Sequence, residues 1–213
     1  TKLAEKITNL APNFNHVFFT GDGACSIEVA LKMSIQAMQI RGFSNKTEFL
    51  SLENSYHGDT AGAISVSDVG KFKEPFKPLT FKSHQLKNLP YITGINDPLW
   101  SDISELWPNY LKQLEPLKNK LAAIIIEPIV QGAGGINIYS PDLIKRLKKW
   151  CVKNNVYLIA DEIMTGIGRT GKMSACEHAN IQPDFACYSK GLTSGWLAFS
   201  TCVTTSEIYN LFY

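Results

Sequence analysis

Two residues in the last third of the chain are of types that do chemistry together. Asp161 follows the apolar run Val156-Tyr157-Leu158-Ile159-Ala160, and Lys190 follows the run Asp184-Phe185-Ala186-Cys187-Tyr188. Both runs have the length and composition of short buried strands. Acid and amine would then reach the same sheet edge at the carboxyl ends of adjacent strands, which is where open α/β sheets hold ligands. A lysine placed there can form a Schiff base with an aldehyde cofactor, and a carboxylate can hold the proton of a pyridinium ring. Taken singly, a strand-end lysine is usually solvated and an Asp-Glu pair is usually a turn. The pairing is what points to chemistry.

Three further strand ends carry candidates. His16-Val17-Phe18-Phe19-Thr20 predicts a strand, Gly21-Asp22-Gly23-Ala24 a turn, and the spacing of Ile27, Ala30, Leu31, Ser34, Ile35 and Met38 a long helix. A glycine-rich turn into a helix amino end suits an anion, because free backbone N–H groups and the helix dipole converge there. No Gly-Lys-Ser/Thr follows and the third glycine of a dinucleotide fingerprint is absent, so neither a P-loop nor a Rossmann site is indicated. Asp22 would repel an anion unless it caps the helix. The strand Thr47–Leu52 leads to Tyr56, an aromatic ring able either to stack on a flat ligand or to rim the core. Leu121–Ile126 leads to Glu127, which Pro128 holds extended. A buried acid there is expected to meet a positive partner. His57 reads as a packing residue, and Gln131–Gly135 as a turn.

These groups need a scaffold, and the chain supplies alternating strands and helices. Thr1–Leu10, Gly58–Val66, Ile103–Leu117 and Ser140–Asn154 are predicted helices, the last with Ser140 as N-cap and Pro141 in its first turn. The first helix is expected to stop at Pro12 and Asn13. Ser67–Asp102 is expected to be a long loop, with a strand at Pro78–Phe81 and either a binding role or a role wrapping another subunit. Trp196–Thr204 is expected to form one or two strands. The alternation predicts an α/β fold, a mostly parallel sheet with helices on both faces.

Composition narrows the class. At 213 residues and 45% hydrophobic content, the chain can bury one sizeable core. A net charge of +2 gives no reason to expect nucleic acid or an anionic membrane as partner. No apolar run approaches the roughly 20 residues that span a bilayer. Five cysteines without a CxxC spacing and four scattered histidines argue against a disulfide framework or a metal site, and for a reducing cytoplasm.

The segments DEIMTGIGRTG (161–171) and PDFACYSKGLTSG (183–195) resemble the cofactor segment of class III pyridoxal-phosphate-dependent aminotransferases. The resemblance covers nearly the whole chain. It implies the large domain of fold type I, with residues 1–213 as a cofactor-binding domain from the middle of an enzyme roughly twice as long. It implies pyridoxal 5'-phosphate as cofactor, Lys190 as the lysine that binds it, and Asp161 as the partner of its ring nitrogen. Tyr56 would lie over the ring and touch the substrate, with Ile163 on the opposite face. Gly23 and Ala24 would cup the phosphate, Ala24 standing where the family commonly has serine, and Glu127 would support the site. YHGDT at Tyr56–Thr60 and ACEHA at Ala175–Ala179 lean toward the branch that moves an amino group from S-adenosylmethionine to 8-amino-7-oxononanoate in biotin synthesis. An ornithine- or diamine-type ω-aminotransferase, or a non-catalytic cofactor-binding chain, are the alternatives. The family implies a homodimer, and with it a chain that does not complete turnover by itself.

Overall fold

The computed structural model describes residues 1–10 and 14–213, so the expected helix stop at Pro12 and Asn13 lies outside the described residues. In chain order the elements are α1 (Lys2–Leu10), β1 (His16–Thr20), α2 (Gly23–Ile40), β2 (Glu48–Leu52), α3 (Ala61–Ser65), α4 (Gly70–Lys73) and β3 (His84–Leu86). There follow α5 (Trp107–Leu114), β4 (Leu121–Ile126), a small hairpin of β5 (Val130–Gln131) and β6 (Asn137–Ile138), and α6 (Pro141–Lys153). The chain continues through β7 (Tyr157–Asp161), β8 (Phe185–Tyr188), β9 (Ser200–Thr204) and α7 (Ser206–Tyr209).

Among the described residues, the sheet has seven strands in the order β1-β9-β8-β7-β4-β2-β3. The run from β3 to β8 is parallel, and β9 lies antiparallel between β8 and β1. The two faces follow from the period-2 alternation of strand side chains. On one face Ile124, Ile126 and Leu158 pack with Leu143, Leu147 and Trp150 of α6. On the other, Ala123, Ile125 and Ile159 pack with Ile27, Ala30, Leu31 and Met38 of α2. Every residue of β4 is buried, as a strand covered on both sides requires. The helix ends are chemically set. Asp22 caps α2, and Ser140 caps α6 by accepting the Asp142 N–H.

Three sequence expectations shift. The edge strand falls at His84–Leu86 rather than Pro78–Phe81, because Pro78 sits inside a 3-10 helix spanning Glu74–Leu79. α5 begins at Trp107 rather than Ile103, with Pro108 in the first turn, the place where a missing N–H costs nothing. Trp196–Thr204 yields one strand, and Trp196 itself is 92% exposed in the preceding loop. No helix among the described residues is long and apolar enough to cross a membrane.

Candidate active site

The carboxyl ends of β1, β2, β4, β7 and β8 point to one edge of the sheet, and there they open into a cleft of about 630 Å³. Gly23, Ala24, Tyr56, Glu127, Asp161, Ile163 and Lys190 all line it. Asp161 and Lys190 arrive on neighbouring parallel strands, with Asp161 in register with Cys187.

Asp161 is 4% exposed and its carboxylate is held from two sides. Oδ2 accepts from Nδ1 of His57 at 2.8 Å, and Oδ1 accepts from the backbone N–H of Ile163 at 3.1 Å. His57 is therefore more than the packing residue that the sequence suggests. Its side chain is fully buried against Asp161, its own N–H donates to Ser67, and its Nε2 has no partner among the described residues.

Lys190 opens the connection from β8 to β9. Its φ of +37° lies in the left-handed region, which costs a non-glycine residue free energy and is found where surrounding structure enforces it. The enforcing bonds are visible. Ser189 Oγ donates to the Phe199 carbonyl at 2.8 Å, and Thr193 Oγ1 donates to the Leu197 carbonyl at 2.8 Å. The Lys190 side chain has no carboxylate partner among the described residues.

Glu127 corrects an expectation. Its predicted cation is not in contact; two backbone donors replace it, the N–H of Tyr56 at 2.9 Å and that of Gly132 at 2.8 Å. Burial pushes its carboxyl above the ordinary glutamate range, and the nearby His57 opposes that rise. Glu127 thus ties Tyr56 to the turn between β5 and β6. Gly132 and Ala133, read from sequence only as a turn, also line the cleft. A Cβ on Gly132 would come within 2.4 Å of Met164 Sδ, so the turn must be bare at that point. The Tyr56 hydroxyl is pushed up to about 12 by burial and by Asp59, and so stays an O–H donor at neutral pH.

At the amino end of α2, Asp22 does cap the helix. Its Oδ1 accepts from the Cys25 N–H at 2.9 Å and its Oδ2 from the Cys25 thiol at 3.1 Å. These bonds hold its carboxyl below the usual aspartate range. Gly58, at φ +126°, lets the chain pass Ala24; a Cβ on it would lie 2.5 Å from that of Ala24.

Known proteins resemble this chain along nearly its whole length. The family described as aminotransferase class-III matches residues 1–213. The chain is 35% identical to an adenosylmethionine-8-amino-7-oxononanoate aminotransferase from Staphylococcus aureus, over 99% of this chain and 48% of the relative. The Helicobacter pylori protein of the same name is 39% identical over 99% of this chain and 47% of the relative. Among solved structures, the enzyme of that name from Methanocaldococcus jannaschii superposes with a TM-score of 0.87 at 35% identity, covering 100% of this chain and 47% of the other. An amine transaminase from an uncultivated Pseudomonas species, solved in its PLP-bound form, also gives 0.87, at 32% identity over 99% and 48%. The chain spans about half the length of the curated relatives it matches. Its sheet is that of the large domain of fold type I transaminases. By family match, fold and relatives alike, the chain belongs to the class III aminotransferases.

Proposed function

We propose that this chain is the pyridoxal-phosphate-binding domain of an aminotransferase that carries the amino group of S-adenosylmethionine to 8-amino-7-oxononanoate, giving 7,8-diaminononanoate in biotin biosynthesis. The observation that carries the reading is the delivery of Lys190 and Asp161 by neighbouring parallel strands into one cleft that also holds the amino end of α2. The relatives' names supply the substrates.

The residues present fit pyridoxal 5'-phosphate. An unpaired amine suits its aldehyde, a buried carboxylate suits its ring nitrogen, and a helix amino end suits its phosphate. When bound, the cofactor supplies an electron sink for charge left on the substrate carbon. Lys190 Nζ would hold the aldehyde end. In its unprotonated form the same amine would move a proton at the substrate carbon bearing the amino group. Asp161 would keep a proton at the ring nitrogen, and His57 Nδ1 holds that carboxylate in place. Tyr56 and Ile163, which both line the cleft, would pack against the ring and keep water from it, while Gly23 and Ala24 would offer backbone N–H groups to the phosphate.

Ala24 yields a direct expectation. Ala24→Ser restores a hydroxyl at the helix amino end, and is expected to tighten cofactor binding by at most roughly 1.5–3 kcal/mol, the worth of one hydrogen bond to a charged group. Equal or weaker binding in a cofactor titration would mean that the phosphate sits elsewhere or that a water already fills the role of the hydroxyl.

The working enzyme is read as a cytoplasmic homodimer. Large apolar side chains left in water support a covering partner, among them Leu79 at 70% and Trp196 at 92% exposure. A second reading, an ω-aminotransferase using a diamine or ornithine-like donor, is favoured by the solved amine and ω-transaminases of matching fold, one with a TM-score of 0.89 at 30% identity. A donor screen decides between them. The protein is expressed as its whole open reading frame and offered S-adenosylmethionine, ornithine and a diamine with 8-amino-7-oxononanoate as acceptor. Product is expected from S-adenosylmethionine, and turnover only with ornithine or the diamine would select the second reading.

A further inference from the structure

We infer that Glu162, the neighbour of Asp161, is a positioning residue whose carboxylate clamps the 163–174 loop and so fixes Ile163 and Met164 as a wall of the cleft. The inference rests on the reading of that cleft as the cofactor site.

The two acids divide their work by the alternation of strand side chains. Asp161 faces the cleft, and Glu162, at 0% exposure, turns away from it. No cation meets Glu162 among the described residues; four donors do. Oε1 accepts from Ser174 Oγ at 2.6 Å and from the Cys176 N–H at 3.0 Å. Oε2 accepts from Thr165 Oγ1 at 2.7 Å and from the Ala175 N–H at 3.0 Å. One side chain therefore ties the start of the loop to its end, and the Glu162 carbonyl adds a bond from the Gly166 N–H.

The wall this clamp holds is pinned tightly from both sides. A Cβ on Gly23 would lie 2.9 Å from Ile163 Cδ1, and one on Gly132 would lie 2.4 Å from Met164 Sδ. A loop displaced by a few tenths of an ångström would thus disturb the phosphate end and the hairpin turn together. Ile167 sits at φ +56°, a conformation costly for a β-branched residue, so the loop keeps this shape only while its ties enforce it.

The donor pattern explains why only a carboxylate serves. Each oxygen takes one hydroxyl and one backbone N–H. A hydroxyl can turn and accept; a backbone N–H cannot. Glutamine, in either amide orientation, would press its NH2 group against the N–H of Ala175 or of Cys176.

The test uses Glu162→Gln beside Met38→Ala, a cavity control near the carboxyl end of α2, in the core cluster on the other face of the sheet. Hydrogen exchange of amides 163–174 is measured without cofactor, followed by cofactor affinity and the absorbance of the bound form. Glu162→Gln is expected to speed exchange in the loop and to weaken cofactor binding, each by about tenfold, the worth of one lost charged hydrogen bond. Met38→Ala is expected to lower the melting temperature without either local effect. Should Glu162→Gln fail to fold, Thr165→Val removes one donor alone and is expected to give a smaller shift in the same direction. Loop exchange and cofactor affinity no different from the control's would overturn the positioning role. If the unaltered chain binds no cofactor at all, the reading of the cleft falls and takes the positioning role with it.

Discussion

Incubation with pyridoxal 5'-phosphate followed by borohydride reduction is expected to leave one stable adduct, on Lys190, and Lys190→Ala is expected to abolish it. The expectation follows from how the lysines are held. Lys46 is buried, but its ammonium is committed to the carbonyls of Lys118 and Asn154. Lys148 is paired with Asp184 at 2.7 Å. Lys190 alone among the lysines lines the cleft. Its backbone is held in a left-handed turn that directs the residue at the sheet edge. Lys190→Arg is expected to fail as completely as Lys190→Ala, because a guanidinium is never neutral near pH 7 and cannot attack an aldehyde. In the working enzyme the loss of the proton-moving amine alone should cost about 10²–10⁴-fold in turnover. Mapping of the reduced peptide decides the matter, and a label on Lys172 or Lys153 would sink the assignment.

Asp161→Asn is expected to weaken cofactor binding by roughly 10–100-fold, the value of exchanging a charged hydrogen bond for a neutral one, and to depress turnover further. The amide carries no charge to stabilise a proton on the ring nitrogen, so the electron sink is lost even in molecules that keep the cofactor. The fold should suffer less. Asparagine retains one oxygen able to accept from His57 Nδ1 or from the Ile163 N–H, though not from both. Thermal melts run beside cofactor titrations separate the two effects. Near-normal binding and turnover in the variant would reduce Asp161 to a turn residue.

Strand ends were the legible part of this sequence. The runs before Asp161 and Lys190 are short, apolar and bounded by polar residues, and β7 and β8 lie where those patterns place them. The helical spacing of α2 and the Ser-Pro start of α6 were equally plain. β3 was not, since His84-Gln85-Leu86 has no alternation to betray it and its place comes from pairing with β2. The site was legible as residue types and illegible as contacts. A lone histidine carries no signal of its partner, and His57 finds Asp161 only through a fold that joins positions 104 apart. Its place directly after Tyr56 at a strand end was the one available hint. For Glu127 the expected partner was wrong because sequence shows charged side chains and hides backbone N–H groups, which the hairpin turn brings to it. Glu162 was hidden by the same blindness, two of its four donors being main-chain amides.

The antiparallel insertion of β9 has a consequence for how the protein comes into being. Among the described residues β1 pairs with β9 alone, and Thr20 faces Ser200 across that ladder. Ser200 Oγ also donates to the Asp22 carbonyl, the residue that caps α2. A ribosome must therefore deliver residue 204 before the first strand can dock and before the amino end of α2 is tied to the sheet. Contacts so distant in sequence form slowly, because the chain pays the entropy of closing a long loop before it gains the contact. Val17, which packs in one core cluster with Val203 of β9, waits uncovered through that interval. Nascent chains arrested before β9 should accordingly be the ones that recruit chaperones.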